Sequence, residues 1–84
     1  MLPNGRIFPG DVMFFRRIAD MRIDSDKTQQ AVADHLNMNL SVYRRYEKGE
    51  REIPVWALIK LADLYHTSTD YLLGRTDNPS EPRA

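Results

Sequence analysis

The chain has 84 residues, 42% of them hydrophobic, and contains no cysteine. This length suits a single domain, and the lack of cysteine excludes disulfide bonds and thiolate metal sites as sources of stability. Twelve Lys and Arg residues balance twelve Asp and Glu residues, which excludes a polycation that binds nucleic acid or membranes nonspecifically. Any contact with DNA must therefore depend on where a few basic residues are placed.

The two ends of the sequence are irregular, whereas its middle is periodic. Residues 1–10 contain two prolines and two glycines, a composition typical of a loop or an arm. Residues 75–84 are polar and hold two more prolines, which indicates a flexible tail. The apolar run at 12–15 is far shorter than the roughly 20 residues that a membrane span needs, and we find no signal peptide. We expect a soluble cytoplasmic protein whose domain occupies residues 11–74.

Five short helices and no strand are predicted in the middle of the chain, so the expected fold class is all-α. In the first helix, Phe14, Ile18 and Met21 recur on one face, as in an amphipathic helix. Asp11 can cap this helix, and Pro54 suits the first position of the fourth. The predicted helices cover residues 11–23, 29–36, 40–48, 54–65 and 68–73.

Only three residues, 37–39, separate the second predicted helix from the third. Asn37 tolerates the left-handed conformation that ends a helix sharply, and Asn39 can cap the next helix. Two short amphipathic helices joined by so tight a turn are typical of the helix-turn-helix, whose second helix can enter the major groove of DNA. This turn is the most informative feature of the sequence.

The third helix is predicted to have an aromatic side and a basic side. At about 100° per residue, Tyr43 and Tyr46 share one side of the helix. The other side carries Ser41, Arg44, Arg45 and Lys48. Arginine can donate two parallel hydrogen bonds to guanine, a hydroxyl can donate or accept, and Leu40 on the first turn can contact a thymine methyl. On the residues alone, a solvated helix face with ion pairs to Glu47 is the alternative interpretation.

The start of the second helix is a candidate for contact with the DNA backbone. Free backbone N–H groups and the side chains of Thr28 and Gln29 suit a phosphate there. Arg51 is a further candidate, although Glu50 and Glu52 flank it. The predicted phosphate contacts are Thr28, Gln29, Asn39, Lys48 and Arg51, and the predicted base contacts are Leu40, Ser41, Arg44 and Arg45.

Several of these residues together resemble the Cro/C1-type, or XRE-like, helix-turn-helix family. The resemblance is carried by 28–33, Leu36, Asn39, the run Tyr-Arg-Arg-Tyr-Glu-Lys-Gly at 43–49, and the closing 71–74. It implies a compact five-helix repressor-type domain, usually a dimer on a two-fold operator, whose third helix faces base edges. It also implies that Gln29 contacts phosphate and braces the third helix, and that Arg22 pairs with Glu47.

The chain departs from the family pattern at two turns and on the third helix. Asn37 stands where glycine is usual, and Asp26 and Lys27 replace a glycine and an apolar residue before the second helix. Leu40 and Val42 are apolar where many members are polar, which predicts sparse base readout.

The sequence therefore predicts a sequence-specific DNA-binding transcriptional regulator that acts as a homodimer. One recognition helix reads too few base pairs to select a site in a genome, so two half-sites about one helical turn apart are needed. We expect the dimer contact near residues 67–73. The alternative is a protein-interaction module, antitoxin-like or an adaptor, which the neutral net charge and Leu40 favour.

No enzymatic activity, cofactor, metal or small-molecule substrate is predicted. The sequence shows no nucleophile and base in a predicted cleft and no glycine-rich phosphate loop. His35 and His66 have no partner at ligand spacing, and the calcium-like start at 24–26 lacks the later loop ligands. In the arm, Arg6 could reach a minor groove, although we expect residues 1–10 to be disordered or to lie on the core.

Overall fold

The computed structural model describes residues 14–80, which form five helices and, within that range, no strand. The helices are α1 (Arg17–Asp24), α2 (Gln29–His35), α3 (Leu40–Lys48), α4 (Val55–Leu64) and α5 (Thr69–Leu72). The predicted all-α fold is confirmed, and the bounds of α3 are the predicted ones. The predicted arm at 1–10 and the predicted helix start at Asp11 lie outside the described residues.

The first helix begins later than predicted, because two consecutive aromatic residues precede it. A helix would turn Phe14 and Phe15 about 100° apart, so both could not face the core. Neither residue is helical in the structure. Phe14 lies against Gly49, and Phe15 packs on the hydrophobic core. The prediction of helix over residues 14–16 is therefore wrong.

Each of the five helices ends in a residue with left-handed backbone. In chain order these residues are Asp26, Asn37, Gly49, His66 and Gly74, with φ between 54° and 79°. After each of them a backbone N–H bonds back into the helix, as Met38 does to the Ala33 carbonyl at 3.0 Å. This arrangement satisfies carbonyls that the helix end would leave unpaired, and it makes every connection short.

Side-chain caps start three of the helices, at Thr28, Asn39 and Ser68, and the cap predicted at Asn39 is among them. Thr28 Oγ1 accepts a hydrogen bond from the Ala31 N–H at 3.0 Å. Asn39 Oδ1 accepts one from the Ser41 N–H at 2.8 Å. Pro54 differs, because its extended backbone makes it the N-cap of α4 and not the first helical residue.

One hydrophobic core joins all five helices. Its buried residues are Ile18, Val32, Ala33, Leu36, Tyr43, Ile53, Ala57, Leu58, Leu61, Ala62, Tyr65 and Leu72. In the packing, α2 lies on α3, and α5 contacts both α4 and α1. Because helices of two turns are marginal alone, α2 and α3 depend on this core for their geometry.

The segment after α5 is attached to the domain more closely than the sequence suggests. The Arg17 guanidinium lies 4.1 Å from the centre of the Tyr71 ring, and it donates to the Thr76 carbonyl at 2.5 Å and to Asp77 at 2.6 Å. Thr67 Oγ1 donates to the Pro79 carbonyl at 2.7 Å. Residues 75–80 of the expected flexible tail therefore have specific contacts with α1 and with the start of α5.

Replacing Gly49 should destabilise the fold, because the residue needs φ of +78° and a Cβ there would lie 2.9 Å from Phe14 Cδ1. We expect Gly49→Ala to lower the free energy of unfolding by about 2 kcal/mol, from left-handed strain and displacement of Phe14. Urea unfolding measures the difference. Asn37→Gly is the control, since both residues tolerate its left-handed backbone, and an equal loss in the two variants would contradict this explanation.

Candidate nucleic-acid interface

The two sides of α3 have opposite environments. Tyr43 and Glu47 are buried on the inner side, at 0% and 8% exposure. The outer side presents four exposed side chains, those of Ser41, Arg44, Arg45 and Lys48. Leu40 is half-buried and packs against the core, so part of the first turn is held by apolar contact. The predicted base contacts therefore share one accessible helix face, with Leu40 at its edge.

A buried carboxylate fixes the inner side of α3 to both neighbouring helices. Glu47 accepts from Arg22 Nε of α1 at 2.6 Å and from Arg22 Nη2 at 3.2 Å. It also accepts from Gln29 Nε2 of α2 at 3.0 Å, and from the Tyr43 hydroxyl. The two residues that the family resemblance pairs are thus in direct contact, and the same carboxylate connects α1, α2 and α3.

The electrostatics of this cluster favour the ionised carboxylate. Burial by itself would raise the pKa of Glu47, but hydrogen bonds from Arg22, Tyr43 and Gln29 outweigh it and lower that pKa below its ordinary value. Burial and the nearby carboxylate raise the pKa of Tyr43, and burial raises the pKa of Tyr65 to about 12. At neutral pH both tyrosines are therefore neutral and Glu47 is charged.

Arg44 has a partner that the sequence did not reveal. Its Nε donates to Gln29 Oε1 at 3.1 Å, across the gap between α3 and α2. The contact spans 15 residues, and the helical periodicity of either helix gives no sign of it. Two residues predicted for different contacts, one with phosphate and one with a base, are therefore directly linked.

The remaining predicted contacts differ in how much hydrogen-bonding capacity they keep. Arg45, Lys48 and Arg51 are exposed, and within residues 14–80 no hydrogen bond or ion pair holds their charged groups. Thr28 uses its hydroxyl oxygen for the cap of α2 and retains its hydrogen as a donor. Asn39 Oδ1 accepts from both the N–H and the hydroxyl of Ser41, so the Asn39 amide nitrogen is free to donate.

Two further observations concern other kinds of site in the described part of the chain. Residues 14–80 contain no group of three His, Cys, Asp or Glu side chains placed to hold a metal ion. Over the same range, no helix is both long and apolar enough to cross a membrane.

Residues 14–73 match the family model described as a helix-turn-helix domain. The chain belongs to this family, and the predicted Cro/C1-type resemblance is confirmed. It is 39% identical over 67 residues to the transcriptional repressor RstR of the cryptic phage CTXphi in Vibrio cholerae, covering 77% of this chain and 60% of RstR.

Two relatives from Bacillus subtilis have names of the same kind. The chain is 34% identical over 67 residues to the uncharacterized HTH-type transcriptional regulator YobD, covering 80% of this chain and 60% of YobD. It is 36% identical over 62 residues to the HTH-type transcriptional regulator ImmR, covering 74% of this chain and 49% of ImmR. The chain thus spans 60% or less of the length of these relatives. No solved structure gives a significant match.

Removing the charge of Glu47 should destabilise the protein, because the largely buried Arg22 side chain would lose its charged partner. The two side chains are only 15% and 5% exposed, so we expect Glu47→Gln to lower the free energy of unfolding by about 3 kcal/mol at pH 7. Denaturant unfolding measures the loss. Glu50→Gln is the control, because Glu50 is exposed beyond the end of α3.

The same substitution should change the pH dependence of stability. Since the pKa of Glu47 is lower in the folded state, its contribution is fully present above the unfolded pKa of about 4. It is lost as pH falls through the folded pKa. The difference between wild type and Glu47→Gln should therefore shrink below about pH 4, and a difference that grows in acid would contradict the lowered pKa.

Proposed function

We propose that this chain is a DNA-binding transcriptional regulator that reads the major groove with α3 and catalyses no reaction. The observation that supports this most directly is the contrast between the two sides of α3. Its inner side is fixed to α1 and α2 by Glu47, while its outer side presents a hydroxyl and three cations. A rigid helix with exposed donors is what direct readout of base edges requires.

We assign two kinds of contact to the exposed residues. Arg44 and Arg45 donate to base acceptors, and Ser41 and Leu40 complete the base-reading face with a hydroxyl and an apolar contact. Thr28, Gln29, Asn39, Lys48 and Arg51 contact phosphates. The phosphate contacts fix the position of the domain on the duplex, and the base contacts provide sequence preference.

A homodimer follows from the amount of sequence that one domain can read. One copy of α3 contacts only a few base pairs, so a two-fold pair on half-sites about one helical turn apart is needed for selectivity. In the segment expected to form the dimer contact, Thr67, Ser68 and Leu72 are buried within the monomer. Of the other residues of 67–73, Asp70 is exposed, and Thr69, Tyr71 and Leu73 are half-buried and could offer part of their surface to a second copy.

One observation favours a second candidate function, that of a protein-interaction module. Val55, Trp56 and Ile59 on α4 are 71%, 50% and 49% exposed, and apolar groups of this kind often mark contacts with other proteins. The two candidates differ in salt dependence. DNA binding through phosphates should weaken linearly with salt on logarithmic axes, whereas apolar protein contact should not.

Binding-site selection from random duplexes with the purified chain tests the proposal, and a palindromic site would support the dimer as well. We expect Arg45→Ala to cost about 1–3 kcal/mol at the selected site and to relax preference at one base pair. Fluorescence anisotropy measures both effects. Arg16→Ala is the control, because Arg16 is an exposed arginine on the N-terminal side of α1 that pairs with Asp20. Equal losses from both substitutions would contradict the base-reading role of Arg45.

Lys48 should behave differently from Arg45, because a phosphate contact carries no sequence information. We expect Lys48→Ala to weaken binding evenly across duplexes and to reduce the salt slope by about one. Titrations at several salt concentrations measure the slope. Affinity that is weak and insensitive to salt for every duplex, in wild type, would exclude the DNA-binding function.

A further inference from the structure

The cap of α3 fixes the direction of a hydrogen bond on the exposed face of that helix. Asn39 Oδ1 accepts from the Ser41 N–H at 2.8 Å. Because a backbone N–H can only donate, the Asn39 amide must turn its oxygen, and not its nitrogen, toward α3. The same oxygen lies 2.6 Å from Ser41 Oγ, and two oxygens this close share a hydrogen. Since only the hydroxyl carries one, the Ser41 hydroxyl donates to Asn39.

This internal hydrogen bond leaves Ser41 with one kind of hydrogen-bonding capacity for a ligand. A serine hydroxyl has one hydrogen and two lone pairs, and Asn39 already holds the hydrogen. Ser41 is exposed, so its oxygen is accessible as an acceptor. An unrestrained serine can contact either a donor or an acceptor on a base, whereas the cap restricts Ser41 to bases that donate.

Ser41 differs in this respect from the other exposed side chains on the outer side of α3. Those are Arg44, Arg45 and Lys48, whose charged groups can only donate hydrogen bonds. Their partners on DNA are acceptors, such as phosphate oxygens or the N7 and O6 atoms of guanine. Of these four side chains, Ser41 is therefore the one that can accept a hydrogen bond from a base.

The bases that donate in the major groove form a chemical class. Adenine presents its N6 amino group and cytosine its N4 amino group, whereas guanine and thymine present a keto oxygen instead. Each base pair combines one amino base with one keto base. A residue that only accepts therefore selects which strand carries the amino base, and it tolerates both adenine and cytosine there.

We propose that Ser41 reads the amino group of adenine or cytosine, and that Asn39 determines this preference by holding the hydroxyl hydrogen. Ser41 contacts the base, and Asn39 is a positioning residue that acts through it. This inference rests on the proposed function, because it requires α3 to enter the major groove. It is compatible with the phosphate contact assigned to Asn39, whose amide oxygen alone is used in the cap.

Binding-site selection with four forms of the full chain tests this assignment. The forms are wild type, Ser41→Ala, Asn39→Gly and Asn39→Asp, each selected against the same pool of random duplexes. The position at which Ser41→Ala loses its preference identifies the Ser41 contact. In wild type we expect adenine and cytosine to be preferred there over guanine and thymine by about fivefold, the effect of one hydrogen bond.

The two substitutions of Asn39 should have different effects on this preference. Asn39→Gly removes the acceptor, so the Ser41 hydroxyl can also donate and amino and keto bases should be accepted equally. Glycine costs little at a helix N-cap, and circular dichroism confirms that the variant is folded. Asn39→Asp is the matched control, because a carboxylate oxygen can accept both hydrogen bonds of the cap. It should keep the amino preference while its charge weakens binding to every duplex.

A modified base tests the contacted atom directly. In a selected duplex with adenine at the Ser41 position, purine replaces that adenine and removes only the N6 amino group. We expect the replacement to weaken wild-type binding by about fivefold and to leave the affinity of Ser41→Ala unchanged. An equal loss in the two proteins would show that Ser41 does not contact the amino group.

The inference and the proposed function fail in different ways. If wild type prefers guanine or thymine at the Ser41 position, or if Ser41→Ala changes no position of the selected site, the inference is wrong and the proposed function stands. The role given to Asn39 is wrong if Asn39→Gly keeps the amino preference. Failure of wild type to select any sequence would instead remove the proposed function.

Discussion

The position of α3 depends on one buried carboxylate. Glu47 collects hydrogen bonds from Arg22, Gln29 and Tyr43, which come from three different helices. A buried carboxylate without these donors would be strongly unfavourable, so any shift of α3 relative to α1 and α2 would leave a charge poorly satisfied. These hydrogen bonds therefore fix the angle of α3 relative to α1 and α2, although α3 has only nine residues.

Such an ion pair fixes the relative orientation of the helices more than it stabilises the domain. Replacing a buried pair with well-packed apolar residues is often neutral or stabilising, because both charges lose water when they are buried. The pair here is nevertheless well suited to a domain that must present one helix face accurately. Arg22 also donates to the Lys27 carbonyl at 2.9 Å, so the same guanidinium holds the turn that leads from α1 into α2.

The sequence predicted the elements whose causes are local. The bounds of α3 followed from an asparagine cap and a glycine stop, and Asn37 was expected at the left-handed position where the family pattern has glycine. Asp26 and His66 take the same backbone conformation, but it was not predicted from their residue types. The start of α1 was mispredicted because periodicity cannot register that both Phe14 and Phe15 are held by contacts distant in sequence.

In the candidate site too, the features with local causes were predicted and those that depend on contacts between helices were not. The helical wheel separated the exposed face of α3 from its buried face, because that separation depends only on spacing. The link between Gln29 and Arg44 depends on how two helices pack and on a third residue that orients the amide, and no spacing rule contains that information. The contacts of Thr76 and Asp77 with Arg17, and of Pro79 with Thr67, were hidden for the same reason, since composition indicates polarity but not the partner.

The neutral net charge becomes informative once the buried pair is known. Glu47 and Arg22 neutralise each other in the interior, so they contribute little to the field outside the domain. The cations on α3 and beyond Gly49 then act in a protein with equal numbers of acidic and basic groups. Under the proposed function, a protein with no net charge depends on the few direct contacts of the α3 face and not on a broad positive field that holds DNA of any sequence.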